Sequence, residues 1–171
     1  MEYVLKQILP NAVPAALEKA DKYRELNQPA EADSICRDVL AAVPDHQLAL
    51  RVLGLSLTDR FEPARGERFR EAQAVFAQLA DPYERAFYGA LAYERQAKAQ
   101  LCGDLPLPAV VALLEAALAL YDEAEPLRPP GNDDAILRWN SCVRVLRTLV
   151  GDATEAEEAP DWESDFVPHR R

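Results

Sequence analysis

The side chains best suited to chemistry in this sequence are two histidines, three cysteines and a scattered set of arginines and carboxylates. A Ser-His or Cys-His nucleophile would need His46 or His169 as its base. His46 falls in a turn between two helical patterns and His169 near the end of the chain, so neither is held in place by its surroundings. The strained Ser elbow, the Gly-rich phosphate loop and the helical His-Glu-x-x-His zinc pattern are all absent. Carboxylate pairs such as Glu157-Glu158 sit in an acid-rich stretch where nothing fixes their geometry. Cys36, Cys102 and Cys142 lie far apart and outside any Cys-x-x-Cys spacing, so no metal and no cofactor is expected. Cys36 and Cys142 fall on apolar helical faces, where a reduced thiol behaves as a small hydrophobe. These absences predict a protein that is not an enzyme. Arginine is the remaining chemistry: its planar guanidinium pairs bidentately with carboxylates, and a cluster of arginines can read an anionic segment.

The elements that must position these groups are helices. Alanine and leucine dominate a chain that is 49% hydrophobic, while its 6 glycines and short β-branched runs leave little material for a sheet. At 171 residues a single domain is expected, residues 1–150, followed by an acidic tail, 151–171. No apolar run is long enough for a membrane span, and MEYVLKQILP lacks the basic start of a signal peptide, so a cytoplasmic location is expected. The net charge of −10 argues against nucleic-acid binding, which needs phosphate neutralisation.

Prolines and Asp or Asn caps divide the chain into seven predicted helices, at about 14–27, 30–42, 46–59, 67–80, 82–101, 108–125 and 133–149. Asp45 is the expected N-cap of the third and Asn132 of the seventh. Residues 2–10, with Val4, Leu5, Ile8 and Leu9, read as a short amphipathic turn covering the first helices. Apolar stripes run through Leu17, Ala20 and Tyr23, then Ala32, Ile35, Cys36, Val39 and Leu40. Later stripes include Phe69, Ala72 and Phe76, then Val111, Leu114 and Tyr121. In the fifth helix Glu94 and Lys98 are spaced i,i+4 and are expected to pair on a solvated face.

One register recurs. Ala20 and Gly54 are 34 positions apart, as are Tyr23 and Leu57, and Leu53-Gly54 opens a second unit before about six extra residues lengthen the 61–69 region. With Ala32, Cys36, Val39 and the closing Pro44, residues 13–57 resemble the tetratricopeptide repeat, and the likeness continues more weakly to about residue 150. No tryptophan stands at the first signature position, and Cys36 sits where an aromatic is usual. The resemblance implies an all-α antiparallel helix-hairpin array of about three repeats with a C-terminal capping helix. It also implies a concave groove lined by the first helix of each unit. The polar candidates there are Lys19, Arg24, Arg51, Arg85, Arg95, Arg138 and Asn140. The clamp by which some of these repeats hold a C-terminal carboxylate is not expected, because Asp21 and Val52 stand where asparagines would be required.

The tail changes character: its last 20 residues carry seven acids against two arginines. A solvating tail has no need of large aromatics, yet Asp161, Trp162, Glu163, Asp165 and Phe166 form a compact acidic-aromatic motif. It is expected to dock, with the aromatics in apolar pockets and the acids on arginines. The function that follows is an adaptor for a protein or acidic peptide. The alternative is a self-associating structural protein whose tail docks in cis or into a neighbouring copy.

Overall fold

Local chemistry sets most of the helix starts. Pro14, Pro29, Pro82 and Pro108 each fall within the first two residues of a helix, where a missing N–H costs nothing. Asp81 adds a side-chain cap, its Oδ1 accepting the Glu84 N–H at 3.0 Å. The computed structural model describes residues 3–103 and 106–157, and these are all-α. The helices are α1 (Val13–Glu25), α2 (Pro29–Ala42), α3 (Gln47–Thr58), α4 (Glu67–Phe76), α5 (Pro82–Leu101), α6 (Leu107–Ala124) and α7 (Asp134–Glu157). Single 3₁₀ turns at Pro10–Ala12 and Glu125–Leu127 precede α1 and follow α6. Among the described residues no strand forms, and no helix is long and apolar enough to cross a membrane.

Each helix packs on the next, and alternate helices also touch: α1 on α3, α3 on α5, α5 on α7. The result is a row of helix pairs, α1–α2, α3–α4 and α5–α6, closed by α7, as expected from the sequence. No pair can bury its apolar face alone, so the core runs along the row. Its first half gathers Ala20, Ala32, Cys36, Leu53, Leu57 and Phe76. Its second half gathers Tyr83, Ala90, Leu114, Ala117, Tyr121 and Cys142. Alanines at the crossings let the helix axes approach, and each fully buried leucine, such as Leu57 or Leu114, contributes about 1.5–3 kcal/mol.

α1 ends two residues earlier than its spacing predicts. Asn27 adopts a left-handed conformation (φ 57°), Gln28 N–H bonds to Tyr23 O at 2.8 Å, and Asn27 N–H bonds to Arg24 O at 2.9 Å. This is a Schellman stop, and asparagine tolerates the left-handed position better than most non-glycine residues. The cap of α3 is His46, whose Nδ1 faces the Ala49 N–H at 3.4 Å, and not Asp45. Asn132 does serve the start of α7, accepting the Asp134 N–H at 2.8 Å.

α4 stops at Phe76, short of residue 80, because other side chains occupy the polar groups of the next turn. Arg85 donates to Leu79 O and Ala80 O, and Gln47 Oε1 accepts the Ala80 N–H. α7 runs to Glu157, eight residues beyond its expected end. The alanines and glutamates there are good helix formers, and they outweigh Gly151. The N-terminal segment is not a helical cover. Among its described residues Ile8 packs against the cluster of Val13, Leu17, Val39 and Ala49, while Tyr3, Val4 and Leu5 stand exposed.

Candidate functional site

The four first-position helices α1, α3, α5 and α7 carry the expected cations, and four of these, Arg24, Arg51, Arg95 and Arg138, are paired with carboxylates. Asp59, just past the end of α3, accepts Arg24 of α1 at 2.8 Å and Arg95 of α5 in a short contact. Arg95 also donates to the Thr58 hydroxyl at 2.6 Å. Arg51 of α3 meets Glu84 of α5 at 2.7 Å. Arg138 of α7 meets Glu94 of α5 at 3.3 Å. Every junction between successive first helices thus carries an arginine–carboxylate staple.

Three of these pairs, Arg24–Asp59, Arg51–Glu84 and Asp59–Arg95, have a repeat-like spacing of 35, 33 and 36 residues, as does Arg37–Glu71 between α2 and α4 at 34, whereas Arg138–Glu94 spans 44. The acids Asp59, Glu84 and Glu94 are partners of these arginines that a search for cations alone misses. For Asp59 and Glu84 a signal was present, a carboxylate about one repeat after each arginine.

The other candidates lie elsewhere. Arg85 caps the carbonyls that follow α4 and is not part of the row. Lys19 lies on the exposed outer side of α1 beside Lys22, Tyr23 and Leu26. Asn140 lines a small hollow with Asp122, Glu125 and Trp139, an acidic setting that would repel an acidic peptide. The motif Asp161, Trp162, Glu163, Asp165 and Phe166 lies outside the described residues.

The staples differ in how readily they open. Asp59 and Glu84 keep 23% and 26% of their side-chain surface in water, so their arginines can exchange one carboxylate for another at modest cost. Glu94 is fully buried, which corrects the expectation of a solvated Glu94–Lys98 pair. Its carboxylate accepts the Tyr121 hydroxyl at 2.6 Å, Lys98 Nζ at 2.5 Å and Arg138 at 3.3 Å. Burial, then the charge of Glu94 and their hydrogen bond, push the Tyr121 phenol far above its ordinary range, so it stays a donor to Glu94. Trp139 packs in the second half of the core with its indole N–H buried and unpaired.

Two of the three thiols are shielded. Cys36 and Cys142 are buried, and burial first, then nearby acids, push them up to about 12 and about 11. Cys102 is exposed at the end of α5. A disulfide reagent at about pH 8 is expected to modify only Cys102 in the folded chain and all three cysteines in denaturant; a second fast thiol in the folded chain would contradict this burial. Because both buried thiols titrate higher in the folded than in the unfolded chain, their contribution to stability is complete below about pH 9. It is lost as pH rises through the folded values.

No family model matches this chain, and no curated protein or solved structure matches it significantly.

Proposed function

We propose that the chain is a non-enzymatic adaptor that binds an acidic segment of another protein along the row formed by Arg24, Arg51 and Arg95. One observation carries this reading: three successive first helices each contribute one of these arginines, and each arginine is held by a carboxylate that is still partly in water. An incoming acidic peptide would replace Asp59 and Glu84 as the arginines' partners, carboxylate for carboxylate. The exchange trades like for like, so affinity comes from having several arginines at fixed spacing and not from any single pair. Arg138, tied to the buried Glu94, is a structural residue in this scheme. The tetratricopeptide resemblance supports the same face as the groove. The second reading, assembly with copies of itself, is favoured by the exposed apolar outer side of α1.

The test is an array of acidic peptides probed with the full chain, the best binder then being measured by fluorescence anisotropy. Arg51→Glu is expected to weaken binding by roughly tenfold or more, since it replaces an attraction with a repulsion. Asp59→Asn is expected to strengthen it severalfold, because it releases Arg24 and Arg95 from their internal partner. If no peptide on the array responds to either change, the arginine row is a set of structural staples and the adaptor reading fails.

A further inference from the structure

The first helix of a repeat array has a side with no neighbour to cover it. A soluble array usually makes that side polar. Here the outer stripe of α1 carries Lys19, Lys22, Tyr23 and Leu26, at i, i+3, i+4 and i+7, lining a hollow of about 310 Å³. Tyr23 is 36% exposed and Leu26 59%. A second hollow of about 460 Å³, between the α1–α2 turn and Arg60, shares the Tyr23 ring as its wall. Unlike Arg24, Arg51, Arg95 and Arg138, neither lysine has an ion-pair partner among the described residues. The stripe therefore combines two unpaired cations with an exposed aromatic and an exposed leucine.

The chain carries a segment of the opposite character. After Glu157 comes the sequence EAPDWESDFVPHRR, in which Trp162 and Phe166 are interleaved with Asp161, Glu163 and Asp165. The stripe on α1 is about 10 Å long, from seven steps of helical rise. Trp162 to Phe166 covers about 6 Å if helical and about 13 Å if extended, so either form matches it. The acids beside the two aromatics give the segment the charge opposite to that of the two lysines on the stripe.

The helix that carries the stripe, α1, and the helix that the segment follows in sequence, α7, lie at opposite ends of the array. α1 packs on α2 and α3, whereas α7 packs on α6 and α5. Three steps of about 10 Å separate α1 from α7 along the first-helix row. The five residues from Glu157 to Trp162 reach at most about 18 Å. We infer that the acidic-aromatic tail of one copy docks on the Lys19–Lys22–Tyr23–Leu26 stripe of a second copy, joining molecules head to tail. Such an interface is heterologous, and each added copy leaves one stripe and one tail open, so rings or short chains form. This site is separate from the arginine row, and its occupant is the protein itself.

The test uses full-length chains and size-exclusion chromatography with light scattering over a range of concentrations. The wild type is expected to grow in mass with concentration. Lys19→Glu/Lys22→Glu and Trp162→Ala/Phe166→Ala, all exposed-side or tail changes, are each expected to weaken association about tenfold or more. Circular dichroism checks that both variants keep the wild-type helix content. Mixed together, the two variants are expected to form a dimer that grows no further, because the first supplies only an intact tail and the second only an intact stripe. A wild type that stays monomeric throughout, or a mixture that forms no dimer, overturns the proposal. Association lost in Arg51→Glu but kept in Lys19→Glu/Lys22→Glu would move the tail to the arginine row and overturn it equally. Failure here leaves peptide binding by the row untouched, and Lys19→Glu/Lys22→Glu does not alter that row.

Discussion

Replacing Gly54 with alanine is expected to lower the stability of the chain by roughly 2–3 kcal/mol, although alanine is the better helix former by about 1 kcal/mol. Gly54 lies inside α3, where helix propensity alone argues against glycine. A Cβ there would stand 2.1 Å from Cε1 of Phe76 and 2.5 Å from its Cζ. The Phe76 ring is fully buried and stacked on Tyr88 with ring centroids 5.4 Å apart, so moving it away from the new methyl breaks that stacking. The close approach of α4 to α3 is thus built on a bare backbone at this one position, and the added methyl must push the two helices apart. For a chain of this size the loss corresponds to a fall in Tm of roughly 5–10 °C, read by thermal denaturation. Phe76→Leu introduced into Gly54→Ala should restore part of the stability, because the smaller side chain vacates the clash. If Gly54→Ala is as stable as the wild type, Phe76 does not seat on Gly54 as described.

Gly54 also shows how much of the fold could be read in advance. Its 34-residue offset from Ala20 puts a small residue at a helix crossing, and the same period recurs in Arg37–Glu71, with Arg51–Glu84 one residue shorter. Helix number and order were legible because prolines and Asp or Asn caps mark the breaks. What escaped depends on contacts far along the chain. Tyr23 fits an apolar stripe by spacing, yet it is exposed because α1 ends the row and, among the described residues, no helix packs on its outer side. Glu94 fits a solvated i,i+4 pair by spacing, yet it is buried because α5 has neighbours on several sides: α3, α4, α6 and α7 all touch it. Periodicity reports one buried face; it does not report how many helices later surround the element. The candidate site was legible in the same partial way. The arginines were visible by type and position, whereas their pairing with Asp59 and Glu84 decides whether they are available at all.

Glu94→Ala is expected to cost about 3 kcal/mol in urea denaturation, toward the lower end of what breaking a buried ion pair costs. The carboxylate lies at the meeting point of three helices: it accepts from Tyr121 of α6, Arg138 of α7 and Lys98 of α5 itself. Removing it leaves the Tyr121 hydroxyl buried with no acceptor, a penalty of about 1–3 kcal/mol on its own. The two cations are less costly to orphan. The Lys98 and Arg138 side chains are 41% and 43% exposed and can turn their charges into water, which holds the total near the lower bound. Tyr121→Phe alone should cost less than Glu94→Ala, since Glu94 keeps both cations.

The double variant Glu94→Met/Tyr121→Phe separates the two contributions. It removes the buried donor and the buried acceptor together at similar volume, and it should recover most of what Glu94→Ala loses. Recovery would mean that α7 is held to the array mainly by packing, around Cys142 and Trp139, with the polar cluster setting which way the helices meet. If instead Glu94→Ala unfolds within about 1 kcal/mol of the wild type, the carboxylate is not the buried junction described, and the stapling of α5 to α7 must rest on apolar contacts alone.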